Sequence, residues 1–186
     1  MPVSRITEVF NERLGARYGV RLKGGGAEPF YQAPKAPECA LIVFRADYSA
    51  SALHEVAHWC LAGPQRRQFD DYGYWYLPAR NAAQQAAFEA VEARPQALEA
   101  LFAEAAGVDF QVSSDDVASL PSPAFKARVA AERRLIEQQL PVRARCFLAA
   151  LKGANALIAP TAARTASVTA SGTVSQSVAG SRTVNA

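Results

Sequence analysis

Apolar residues first fall at helical spacing at Ile6, Val9, Phe10 and Leu14, which predicts an amphipathic packing helix over residues 4–17 with Ser4 as its cap. The pattern breaks at Gly24-Gly25-Gly26. This reads as a flexible turn and not a phosphate loop, because no Lys-Ser or Lys-Thr follows it. Glu28-Pro29-Phe30-Tyr31 looks extended, and the β-branched run Cys39-Ala40-Leu41-Ile42-Val43-Phe44 predicts a strand. Helix formers then fill residues 49–63, where Asp47 or Ser49 can cap the start and Gly63-Pro64 ends the helix. Residues 81–94 predict another helix, and Pro95 predicts a break or the start of a new helix over 96–106, closed by Gly107. Phe110-Gln111-Val112-Ser113 is a second strand candidate, and Asp115-Asp116 and Pro121-Ser122-Pro123 form a loop. Two more helices are expected over 125–139 and 142–151.

From residue 160 the sequence turns to Thr, Ser, Ala, Val and Gly without helical period. We expect one folded domain over residues 1–158 and a disordered low-complexity tail over 159–186. The fold class is α+β: several helices on a small mixed or antiparallel sheet, with two of the helices packed as a zincin-like pair. A chain of 186 residues, half of them hydrophobic, can bury one core.

The net charge of +3 is too small to argue for nucleic acid, but it suits an acidic protein partner. Cys39, Cys60 and Cys146 are odd in number and lack CxxC spacing, so neither a disulfide framework nor a thiolate zinc site is indicated. Arg5, Glu8, Glu12 and Arg13 leave no room for an apolar signal-peptide core, and no apolar run reaches membrane-spanning length. The expectation is a cytoplasmic monomer with reduced thiols and no membrane association.

The chemistry concentrates at His54-Glu55-Val56-Ala57-His58, which holds both histidines of the chain. Histidines four apart lie one turn apart on one helix face and can converge on a metal ion. Cys60 falls about 200° round the helix from His58 and points elsewhere. The extended pattern with a third histidine fails, so a carboxylate must complete the site; Asp70, Asp71, Glu89 and Glu92 are in range. Glu89 and Glu92 are three apart on the next helix, and helix geometry does not choose between them. Two histidines and a carboxylate serve zinc in hydrolases and iron(II) in oxygenases. In a zinc metallopeptidase Glu55 would be the general base; in an oxygenase it would support the ligands. Tyr72, Tyr74, Trp75 and Tyr76 read equally as a strand with core rings or as a pocket wall beside the metal. Arg128, Arg133, Arg134, Arg143, Arg145 and Lys152 make the C-terminal end basic, a solvated helix face or a docking surface.

Several segments together resemble the bacterial elongation factor P hydroxylases. They are residues 50–63 around His54 and His58, Arg66-Arg67, Asp71-Tyr72-Gly73-Tyr74-Trp75-Tyr76, Phe88-Glu89-Ala90-Val91-Glu92, Pro95-Gln96-Ala97-Leu98 and Phe110-Gln111-Val112-Ser113. The similarity spans residues 6–151. It implies hydroxylation of the β-lysylated lysine of elongation factor P at an iron(II) site, with dioxygen as co-substrate. His54, His58 and Glu92 would be the ligands, with Glu89 in reserve and Glu55 a catalytic group orienting them. Tyr72, Tyr74, Trp75, Tyr76, Arg66, Arg67 and Arg80 would shape the substrate pocket. One departure stands out: the family pattern Tyr-x-Pro-Asp-Gly-Arg is here Tyr76-Leu77-Pro78-Ala79-Arg80, without the aspartate and glycine.

Overall fold

The structure, a computed structural model, describes residues 1–71, 80–114 and 120–158. Helix α1 (Val3–Phe10) buries Ile6, Val9 and Phe10, as the stripe predicts. It starts behind Pro2 with no side-chain cap, so Ser4 does not play that part. A π-helical turn (Asn11–Gly15) continues into the short α2 (Ala16–Tyr18), closed by Gly19 in the left-handed region. At the first residue of that π-helical turn the Asn11 amide accepts from Leu22 N at 2.8 Å and donates to Leu22 O at 3.0 Å. Those two backbone groups would otherwise be an open strand edge, and one side chain closes it.

The sheet has three strands, β1 (Val20–Gly26), β2 (Phe30–Gln32) and β3 (Ala40–Arg45), in the order β1-β3-β2. β1 runs parallel to β3 and β2 antiparallel to it, so the sheet is mixed. The glycine triplet is therefore the end of a strand and not a turn. A Cβ on Gly24 would stand 2.6 and 2.8 Å from ring atoms of Phe44 and 2.9 Å from Ala46 O. Phe44 is buried and the carbonyl belongs to the backbone, so neither can give way cheaply. Gly24→Ala is expected to destabilise the chain by about 1–3 kcal/mol, read as a lower thermal midpoint with unchanged helicity.

Helix α3 (Ser49–Leu61) carries the histidines. Its cap position is Tyr48, and neither Asp47 nor Ser49 caps it; Ser51 Oγ instead accepts from Arg45 N at 3.0 Å, tying the helix start to β3. Ala52, Leu53, Val56, Ala57, Trp59 and Cys60 face the core, leaving His54, Glu55 and His58 on the opposite side. Cys60 is a buried free thiol, as its position round the helix implies.

Helix α4 (Ala82–Ala106) runs unbroken through Pro95, against the expected break. Proline removes one helical hydrogen bond at a cost of about 3 kcal/mol. Burial on both sides of it outweighs that cost: Phe88 and Ala93 before, Ala97, Leu98, Leu101 and Phe102 after. Asn81 caps the helix in a reciprocal box with Gln84, and Gly107 ends it at φ 63°. Residues 110–113 form no strand. The buried Gln96 amide takes the place of a neighbouring strand, donating to Ser113 O at 2.8 Å and accepting from Ser113 N at 3.0 Å. Ser122 caps α5 (Pro123–Gln138), and α6 (Val142–Ile158) runs one to two turns past the expected end. Phe10, Trp59, Phe102 and Phe147 meet edge to face at centroid distances of 5.0–5.5 Å and join α1, α3, α4 and α6. The α+β expectation stands. No helix among the described residues is long and apolar enough to cross a membrane.

Candidate metal centre

Helix α4 packs across the outward face of α3 and brings Glu92 to the two histidines. His54 Nε2 and His58 Nε2 lie 3.0 Å apart, and the Glu92 oxygens lie 3.5 Å from the first and 3.4 Å from the second. A metal with bonds of about 2.1 Å at tetrahedral to octahedral angles separates its ligand atoms by roughly 3.0–3.4 Å. One donor atom from each of the three residues lies within 4.8 Å of the other two, close enough for a single ion to gather them with small side-chain adjustments. Glu92 is only 2 % exposed, and its Oε2 has no hydrogen-bond partner among the described residues. A buried, unsatisfied carboxylate oxygen beside two imidazole nitrogens is costly unless a cation answers it. On donor type, spacing and this orphaned oxygen, the residues fit a divalent metal such as iron(II) or zinc.

The sequence reading missed Glu99. Its Oε2 lies 2.8 Å from His54 Nδ1, so it holds a proton there, and it is Nε2, facing His58 and Glu92, that would give up its proton to a metal. Burial works against a charged His54, but the hydrogen bond and charge of Glu99, with Glu55 and Glu92 behind, outweigh it and push the imidazole up to about 10. Burial likewise opposes a charged Glu92, yet the bond and charge of His58 and the charge of His54 hold it below the ordinary carboxylate value. Either way the cluster demands positive charge. A signal for Glu99 was present: Glu92, Gln96 and Glu99 stand at i, i+4 and i+7 in an otherwise alanine- and leucine-rich stretch, one polar stripe on an apolar helix.

The cluster lies at the wall of a cavity of about 310 Å³. Glu55, Arg66, Arg67 and Arg80 line it, and Tyr31, Phe88, Val91 and Arg94 line it as well. Tyr72, Tyr74, Trp75 and Tyr76, and the altered Pro78-Ala79 step, lie outside the described residues. The flanking residues are fixed: Asp71 exchanges backbone bonds with Tyr31 and pairs with Arg66, while Arg80 stacks on Phe88 at 4.1 Å.

The other candidate carboxylates are engaged elsewhere. Asp70 accepts from Ala33 N and Lys35, and Glu89 accepts from Gln85 at 3.2 Å. The basic C-terminal end is also less open than the sequence implies. Arg133 pairs with Glu104 and Glu137, and Arg143 lies 4.5 Å over the Trp59 ring and donates to the carbonyls of Cys60 and Ala62.

Comparison with known proteins gives the geometry its context. The chain is 41 % identical over 152 residues to the elongation factor P lysine hydroxylase of Haemophilus influenzae, an alignment covering 78 % of this chain and 85 % of that protein. Residues 9–162, which contain every member of the cluster, match the family described as elongation factor P hydroxylase. The chain belongs to the elongation factor P hydroxylase family.

Proposed function

We propose that this chain hydroxylates the β-lysylated lysine of elongation factor P, with iron(II) held by His54, His58 and Glu92. The observation that carries the reading is the convergence of those three side chains on the wall of a cavity large enough for an extended side chain. Bound there, iron(II) would activate dioxygen, the oxidant that puts one oxygen into an unactivated C–H bond while a reductant carries the other to water.

The protein's own residues do the rest. Glu99 keeps the His54 proton on Nδ1, and burial keeps Glu92 from turning away. Ile42, Phe88, Val91 and Pro95 give the cavity an apolar wall that suits the methylene chain of a lysine. Glu55 lines the same cavity, where its carboxylate supports the positive charge of the centre and can face a cationic side chain. Tyr72, Tyr74, Trp75 and Tyr76, between the fixed ends at Asp71 and Arg80, would shield the reacting carbon from water. Arg66, Arg67 and Arg80 would meet acidic groups of the protein substrate, a steering role that weakens with salt. The enzyme would act as a cytoplasmic monomer on a translation factor. The zinc peptidase alternative rests on His-Glu-x-x-His alone, and the family match lends it nothing.

Iron-loaded protein incubated aerobically with β-lysylated elongation factor P and a reductant is expected to add the mass of one oxygen atom to the modified lysine. Unmodified substrate after many equivalents of enzyme would sink the proposal.

A further inference from the structure

A second cavity, of about 420 Å³, adjoins the first at Trp59. Tyr31, Trp59 and Arg67 line both cavities and so form the partition between them. Tyr18 and Arg143 complete the inner wall of the second one. Among the described residues its lining contains no aspartate or glutamate, and its charged residues are Arg67 and Arg143.

These two arginines are an unusual pair. Both donate to the same oxygen, Ala62 O, and Arg143 also reaches Cys60 O. The carbonyl end of α3 carries only about half a negative charge, so two guanidinium charges are left in surplus. Neither arginine forms an ion pair with a carboxylate among the described residues. Outside the described residues, 72–79 and 159–186 contain no aspartate or glutamate, and Asp115 and Asp116 are the two acids. Burial and then the like charge of Arg67 hold Arg143 below its ordinary value, as expected of a cation without a counter-charge. Arg143 keeps its place by stacking on Trp59 at 4.5 Å, which fixes the plane of the guanidinium fork.

We propose that Arg67 and Arg143 form an oxyanion-binding site in this second cavity, for a ligand bearing a carboxylate or phosphate. Planar forks pair with such oxyanions in two parallel hydrogen bonds, and the rings of Tyr18, Tyr31 and Trp59 give an organic ligand apolar surface to lie against. The oxyanion is either part of a free small molecule or an acidic side chain of the protein partner; the chemistry is shared.

The full-length chain would be titrated with inorganic phosphate and, separately, with succinate at constant ionic strength, sodium chloride serving as control. The expected result is a saturable rise in thermal midpoint with at least one of the two anions, absent with chloride. Arg143→Gln and Arg67→Gln should each weaken it by about tenfold or more. If Arg143→Gln fails to fold, Arg67→Gln, which leaves the Trp59 stack in place, carries the test. An equal response to chloride, or an undiminished one in Arg67→Gln, would overturn the site. Saturating succinate that weakens binding of elongation factor P identifies the oxyanion as a side chain of that partner; unaltered binding identifies a free anion.

Discussion

Glu92→Gln, purified anaerobically, is expected to hold no stoichiometric metal and to show no detectable hydroxylation, while Glu89→Gln keeps both. The amide preserves the volume of a side chain that is 2 % exposed, so the packing of α4 on α3 survives and circular dichroism should be unchanged. What it removes is the negative charge and the basic oxygen. Glu92 Oε2, without a hydrogen-bond partner among the described residues, is the atom whose burial makes sense only with a cation nearby. Glu89 instead accepts from Gln85 one turn back and does not line the cavity. Metal analysis by mass spectrometry of both variants beside the native chain decides the matter. Full metal content in Glu92→Gln would move the centre to another carboxylate; loss in both variants would mean that the helix, not a ligand, had been disturbed.

How far the sequence carried depends on the range of the forces involved. The histidine pair was legible because it is local: four residues on one helix fix the geometry whatever surrounds them. The choice of Glu92 over Glu89 was not legible from spacing, since both lie near one face of α4 and only the packing of α4 on α3 separates them. The resemblance chose Glu92, and the structure brings the same residue to the histidines. Pro95 misled because propensity was weighed without burial; a proline flanked by Ala93 and Ala97, both buried, sits in a helix held from outside. The glycine triplet misled for a related reason. Gly24 and Gly26 are small because Phe44 and Val43 occupy the space beside them, and Gly25 takes φ 91°; the sequence of β1 does not show the side chains of β3. Residues 110–113 have a strand's composition but pair with one glutamine side chain in place of a strand. Arg143 was counted as surface charge because nothing local announces that Trp59, far back in the chain, lies beneath it.

Removing Glu99 should weaken metal binding by about 10–100-fold without touching a ligand. Its carboxylate accepts the Nδ1 proton of His54 at 2.8 Å, which does two things. It holds the ring with Nε2 toward His58 and Glu92, and its negative charge makes that nitrogen a stronger donor. Glu99→Gln keeps an acceptor oxygen but not the charge, so it should lose less than Glu99→Ala, which also frees the ring to rotate. Both losses should be repaired by excess iron(II), with turnover rising toward the native level as the metal concentration is raised and KM for elongation factor P unchanged. That last readout separates a positioning residue from one that touches the protein substrate. A metal titration monitored by equilibrium dialysis gives the affinities directly. If Glu99→Ala binds metal as tightly as the native chain, Glu99 serves only to neutralise a protonated His54 in the metal-free protein; its place two turns along α4 from Glu92 would then reflect stability and not the chemistry of the centre.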